Sequence, residues 1–157
     1  MNKLFLMAAS AAVVTVLTAQ PASAAETLRL AGVPEEHIGN KSMYAILTLH
    51  RPSNVDDPKI LRILSRAVVD VSKYLHIVFP VHPRTRSRIE AFGLLDPMKN
   101  ANITLLPPQG YLEMLGLMKD ARVVLTDSGG IQEETTALGV PCVTLRQNTE
   151  RPITVTE

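Results

Sequence analysis

The sequence predicts an α/β fold built on a doubly wound parallel sheet, and three observations predict it. Short apolar runs at 44–49, 77–81, 102–105, 123–125 and 141–145 alternate with segments of helical period, the pattern of strands joined by crossover helices. Helix punctuation falls between the runs: Pro58 in a first turn, Gly93 and Gly139 after last turns. Polar residues recur just past the runs, at His50, His82, Gln109 and Ser128. In a parallel sheet these positions share one edge, where ligands of such folds bind.

Taken in order, Met1 to Ala24 stands apart. Lys3, an apolar stretch from Leu4 to Leu17 and the Ala22-Ser23-Ala24 triplet form a secretory leader with expected cleavage after Ala24. The apolar stretch is too short for a permanent membrane span. Residues 25–43 read as a junction, and residues 44–157 as the folded domain. Tyr44 to Leu49 is the first strand. Ile60, Leu61, Leu64, Ala67, Val68 and Val71 then recur at three and four, predicting an amphipathic helix that begins at Pro58 and ends near Tyr74. Ile77 to Val81 is the second strand, followed by a basic helix from Arg84 to Phe92. Asn102 to Leu105 is the third strand, and Tyr111 to Met118 is the helix after it. Val123 to Leu125, ending in Thr126-Asp127, is the fourth strand. The next helix begins after Ser128, carries Ile131, Thr135 and Leu138 at helical spacing, and stops at Gly139. Pro141 to Leu145 is the fifth strand.

Composition narrows the function. With 157 residues the chain suffices for one domain with a core. A net charge of +1 gives no electrostatic footprint for nucleic acid or an anionic membrane. Aromatics at 4% and the absence of Trp argue against a base-stacking platform. Cys142 is the sole cysteine, so no internal disulfide forms, and its place in an apolar strand favours an inert core thiol. His37, His50, His76 and His82 are scattered, without CxxC or HExxH spacing, so no metal site is expected.

The chemistry gathers at Ser128-Gly129-Gly130. Ser128 is suited to cap the helix, and the two glycines let backbone N–H groups approach a ligand with no Cβ between. Free N–H groups and the helix dipole make such a start an anion site, with phosphate or diphosphate the usual occupant. Taken alone the tripeptide fits an ordinary capped turn equally well. Glu134, one helical turn further in, and the Glu150-Arg151-Pro152 cluster beyond the last strand favour the ligand site.

The block TDSGGIQEE, followed by GVPCVTLRQNTERP, resembles the motifs of the non-hydrolysing UDP-N-acetylglucosamine 2-epimerases. The resemblance runs from about Tyr44 to Glu157, and Gly32-Val33-Pro34-Glu35-Glu36 is similar to the segment before the family's interdomain crossing. It implies a Rossmann-like domain, the C-terminal half of a glycosyltransferase B-type two-domain architecture. It also implies a UDP site: His50 on the UDP moiety, Ser128, Gly129 and Gly130 on the diphosphate, Glu134 on the ribose hydroxyls, and Arg151 on the departing diphosphate. Gln109 reads the uracil edge and Met114 stands where the family carries an aromatic; Leu49 stands where it usually has Gly. His82 is a secondary binding candidate, near a loop where some members hold an activating second substrate. Arg84, Arg86 and Arg88 read as a solvated basic face.

The implied reaction interconverts UDP-N-acetylglucosamine and UDP-N-acetylmannosamine, a supply step for cell-envelope polysaccharides, by elimination and re-addition of UDP. No cofactor and no metal are implied, and the family is usually homodimeric. Of catalytic residues only His50 falls here; the acidic ones belong to an N-terminal domain that the resemblance does not cover, so this chain alone is expected to bind without turnover. Alternatives are a non-catalytic UDP-sugar-binding fragment and half of a nucleotide-sugar glycosyltransferase. The family's substrate implies the cytoplasm, whereas the leader predicts export.

Overall fold

The computed structural model describes residues 44–146; the leader, the junction and Arg151 lie outside them. β1 (Tyr44–Thr48), β2 (His76–Pro80), β3 (Ile103–Leu106), β4 (Val123–Thr126) and β5 (Cys142–Thr144) form one five-stranded sheet. Its order is β3-β2-β1-β4-β5 and every pairing is parallel. The helices are α1 (Pro52–Val55), α2 (Pro58–Val71), α3 (Pro83–Ala91), α4 (Leu95–Lys99), α5 (Tyr111–Lys119) and α6 (Gly129–Leu138). Winding proceeds from β1 through β2 to β3, then returns to the other side of β1 for β4 and β5. The reversal leaves a switch point between the carboxyl ends of β1 and β4, where ligands of open α/β sheets bind.

The side-chain period of two divides the core. Ala45, Leu47 and Leu49 point to one face, with Ile77, Phe79 and Val81, and are covered by Leu61 and Val68 of α2, Ile89 of α3 and Met98 of α4. Tyr44 and Ile46 point to the other, with Val78 and Val124, against Leu117 and Met118 of α5. β1 is buried along its whole length, which explains its unbroken apolar run.

The predicted strand–helix alternation holds, with one-residue shifts at several ends. α2 stops at Val71 rather than near Tyr74, and the helix expected from Arg84 runs from Pro83 to Ala91. Within α2 the fully packed positions are Leu61, Ser65 and Val68, whereas Ile60 and Val71 of the expected apolar face are exposed. α1 and α4 are additions; each is about one turn, too short to show a period. Caps fix the longer elements. Asp57 accepts the Lys59 and Ile60 N–H groups at the start of α2, and Gly139 ends α6 in the left-handed region at φ 66°. Cys142 is only half-buried, and burial pushes its thiol pKa up, so the residue is an unreactive thiol on β5.

Tyr44 ties the sheet to α5: its buried hydroxyl donates to the Leu117 carbonyl at 2.7 Å. Burial, then the Asp120 charge, pushes the phenol well above its usual range. Tyr44→Phe strands that carbonyl, and we expect a loss of about 1–2 kcal/mol, read as a lower urea midpoint at unchanged slope.

Candidate functional site

The site grows from the two strand ends at the switch point. Thr48 and Thr126 lie side by side, Oγ1 to Oγ1 at 2.6 Å, and lock β1 to β4. One residue further, Asp127 is completely buried. Its carboxylate accepts the His50 N–H at 3.1 Å and the Arg51 N–H at 3.0 Å. It also accepts the Asn54 amide at 3.1 Å and His50 Nδ1 at 3.0 Å. In return Arg51 Nε donates to the Asp127 carbonyl at 2.8 Å, and Asn54 reaches on to the Leu145 carbonyl at 2.8 Å. Burial pushes the Asp127 carboxyl upward, but the bonds from the His50 ring and from the Arg51 and His50 backbone outweigh it and hold the pKa below the usual value. Asp127 is therefore an ionised anchor joining the turn after β1 to the turn after β4. The sequence reading quoted it and gave it no role; a carboxylate ending an apolar strand beside a glycine turn is the signal that marks it.

Held this way, His50 sits at the mouth of a cavity of roughly 180 Å³. His82, Gln109, Met114 and Ile131 line it with Thr48, Leu49, Pro80 and Pro108. The His50 and His82 ring centres lie 6.0 Å apart. Gln109 folds back on its own loop, Nε2 donating to the Pro107 carbonyl at 2.8 Å. His82 doubles as the N-cap of α3, its Nδ1 accepting the Arg84 N–H at 3.2 Å. Four of the residues expected from the sequence thus converge: His50, His82, Gln109 and Met114.

Ser128, Gly129 and Gly130 open α6 at the same edge, beside the cavity rather than in its wall. Ser128 occupies the cap position with extended backbone, yet its hydroxyl caps nothing, contrary to expectation. Its own N–H is held by Thr126 Oγ1 at 3.0 Å, and the helix start is left without a side-chain cap. Uncapped N–H groups at the positive end of a ten-residue helix favour an anion. Glu134 does not reach the cavity wall; it is half-buried on α6, and burial followed by the Glu133 charge raises its pKa. The expected basic face stays exposed and is only partly offset: Arg84 and Arg88 share Asp56, and Arg86 pairs with Glu90. A larger hollow of about 440 Å³ lies beside α2, lined by Arg62, Ser65, Arg66 and Gly93. It sits away from the strand ends and gathers none of the chemistry described above. Among the described residues no His, Cys, Asp and Glu group could hold a metal ion, and no helix is long and apolar enough to cross a membrane.

The fold is a Rossmann-like α/β domain, and its switch point gathers the residues described above. The sequence profile of UDP-N-acetylglucosamine 2-epimerase matches residues 11–157, and the chain belongs to that family. A UDP-N-acetylglucosamine 2-epimerase of Methanococcus maripaludis is 48% identical over 121 residues, 75% of this chain and 33% of the relative. One of Methanocaldococcus jannaschii is 48% identical over 115 residues, 71% of this chain and 31% of that protein. The solved M. jannaschii UDP-GlcNAc 2-epimerase superposes with TM-score 0.72 at 42% identity, covering 84% of this chain and 39% of that one. A structure of the same enzyme with UDP-GlcNAc and UDP gives 0.67 at 41% identity, over 84% and 38%. The chain spans about a third of the length of the curated relatives it matches.

Asp127→Asn turns an acceptor-only group into one that aims an N–H₂ at donors, and we expect a loss of about 3 kcal/mol at pH 7. Because the folded pKa is depressed, the stabilisation is fully present above the unfolded value of about 3.9 and is lost as pH falls from there through the lower folded pKa. Urea midpoints of the two proteins therefore differ most at neutral pH and converge in acid.

Proposed function

We propose that this chain supplies the UDP-binding half of a UDP-N-acetylglucosamine 2-epimerase, and that alone it binds UDP without turning over the sugar nucleotide. The observation that carries the reading is the convergence of His50, Gln109 and Met114 with the uncapped start of α6 at one sheet edge. The relatives supply the substrate, since the superposed M. jannaschii enzyme was solved with UDP-GlcNAc and UDP.

In this reading the diphosphate rests on the N–H groups of Gly129 and Gly130, with the Ser128 hydroxyl free to bond it. His50 meets the UDP moiety, Gln109 reads the uracil edge, and the Met114 thioether packs where a stacking ring would stand. Glu134 serves the ribose hydroxyls and Arg151 the departing diphosphate; His82 remains a secondary contact. Elimination of UDP across C1–C2 gives a glycal, and re-addition delivers the proton to the opposite face. The groups named here stabilise the leaving diphosphate, and His50 is the one catalytic candidate among them. The size of the cavity supports the same division of labour. Ligand pockets measure about 300–1,000 Å³, whereas the cavity here is roughly 180 Å³. In this reading the chain forms one side of a cleft. For location, the leader favours export and the family's substrate favours the cytoplasm, and fractionation of cells expressing the full chain distinguishes the two.

Gly130 offers a clean test. Among the described residues a Cβ built there meets only the Ser128 hydroxyl, at 4.0 Å, which leaves room for alanine. Gly130→Ala should leave stability unchanged or raise it by about 0.5–1 kcal/mol, while titration calorimetry shows UDP affinity lowered about tenfold or more. Wild-type chain should bind UDP saturably and show no epimerisation. Turnover by the chain alone would refute the half-site reading, and absence of UDP binding by folded protein would refute the nucleotide site.

A further inference from the structure

His50 and Asp127 form a pair whose two members see different worlds. The Asp127 side chain has no exposed surface, while that of His50 is 42% exposed, and Nδ1 to Oδ1 is 3.0 Å. A ligand in the cleft meets the imidazole and never the carboxylate. The remaining capacity of the carboxylate is filled by the backbone N–H groups of His50 and Arg51 and by the Asn54 amide. Every one of these partners is a donor, so the nitrogen of His50 that faces the carboxylate must carry a proton. Donors on both carboxylate oxygens also fix where those oxygens sit, and the ring is oriented by a group that is itself held from three sides.

We infer that Asp127 is a positioning residue for His50: it fixes the neutral ring as the Nδ1–H form and leaves Nε2 as the nitrogen that meets the ligand. This deepens the nucleotide-site reading and rests on it. Nε2 then carries a lone pair, able to accept a proton during reaction and, once protonated, to donate to a phosphate oxygen while Asp127 balances the ring charge. His82 is set the opposite way. Its Nδ1 accepts the Arg84 N–H, so its neutral ring carries the proton on Nε2. Two histidines 6.0 Å apart therefore offer the cleft unlike groups, an acceptor from His50 and a donor from His82. A sequence cannot distinguish them; their hydrogen-bond partners do.

The test uses the full chain labelled with ¹⁵N-histidine, at a pH above the usual histidine pKa of about 6.5. Long-range ¹H–¹⁵N spectra report which ring nitrogen is protonated, and a His50→Gln sample identifies the His50 signal among the four histidines. We expect His50 in the Nδ1–H form and His82 in the Nε2–H form. Asn54→Ala removes a different donor from the same carboxylate and should leave the His50 form unchanged. Asp127→Ala, checked for folding by amide dispersion, should move His50 toward the Nε2–H form and lower UDP affinity about tenfold. A wild-type His50 in the Nε2–H form overturns the inference, as does a folded Asp127→Ala protein with unchanged ring signals. That wild-type spectrum decides the matter even where the alanine variant fails to fold. An Nδ1–H His50 in a folded chain that does not bind UDP upholds the positioning by Asp127 and rejects the nucleotide reading instead.

Discussion

The carboxylate of Asp127 is the interaction on which the rest of the site depends. Two strands that are adjacent in the sheet but 78 residues apart in sequence end side by side, held by the Thr48–Thr126 contact. Beyond them the chain must leave the sheet in two turns, and turns at a buried strand end carry N–H groups that need acceptors. One buried anion answers several at once. It accepts from the turn after β1 at His50 and Arg51, and from α1 at Asn54, and is anchored in the turn after β4. An unpaired carboxylate in that position would be strongly unfavourable, and a neutral residue would leave donors unsatisfied. The same group therefore closes the fold and aims a histidine at the cleft.

From this anchor the functional edge follows by topology. Winding outward from β1 in both directions places each connecting turn at the same side of the sheet. The turns after β1, β2 and β3 bring His50, His82 and Gln109 to one cavity, and the turn after β4 adds the uncapped start of α6. The missing cap at Ser128 is informative in energetic terms. A serine cap stabilises a helix by about 1 kcal/mol, and the hydroxyl forgoes that role here while the Thr126 side chain takes the Ser128 N–H. Stability forgone at a helix start beside the cavity fits the proposed site, in which those N–H groups are kept for a ligand. Likewise Gly139 uses its left-handed backbone to end α6, whereas Gly130 has open space around it among the described residues and no positive φ. One glycine serves the fold; the other leaves room.

Much of this was legible in the sequence, because the signals involved are periodic or local. Five apolar runs, helix stops at Gly93 and Gly139, and polar residues after the first four strands located the sheet, its direction and the edge where those residues gather. His50, His82, Gln109 and Met114 meet in space because strand ends in a parallel sheet must. What was not legible depended on partners distant in the chain. Asp127 looked like the tail of a strand, since its donors sit more than 70 residues away. The arginines of α3 stay solvated, but the pairing of two of them with Asp56 was not legible, because that carboxylate lies just past α1. The helical pattern of α2 marked Ile60 as buried, but the face is turned so that Ser65 packs and Ile60 does not. α1 and α4 were missed for a simpler reason, being too short to express a period.

We propose that one nucleotide site occupies the carboxyl edge of this sheet at the β1–β4 switch point. Backbone amide spectra of the full chain during a UDP titration test it most directly, because they report every turn at once. The account predicts saturable shifts at His50, Gln109 and Ser128 to Ile131, with the α2 hollow around Arg62, Arg66 and Gly93 unmoved. Shifts centred on that hollow, or none in a well-dispersed spectrum at saturating UDP, would contradict it.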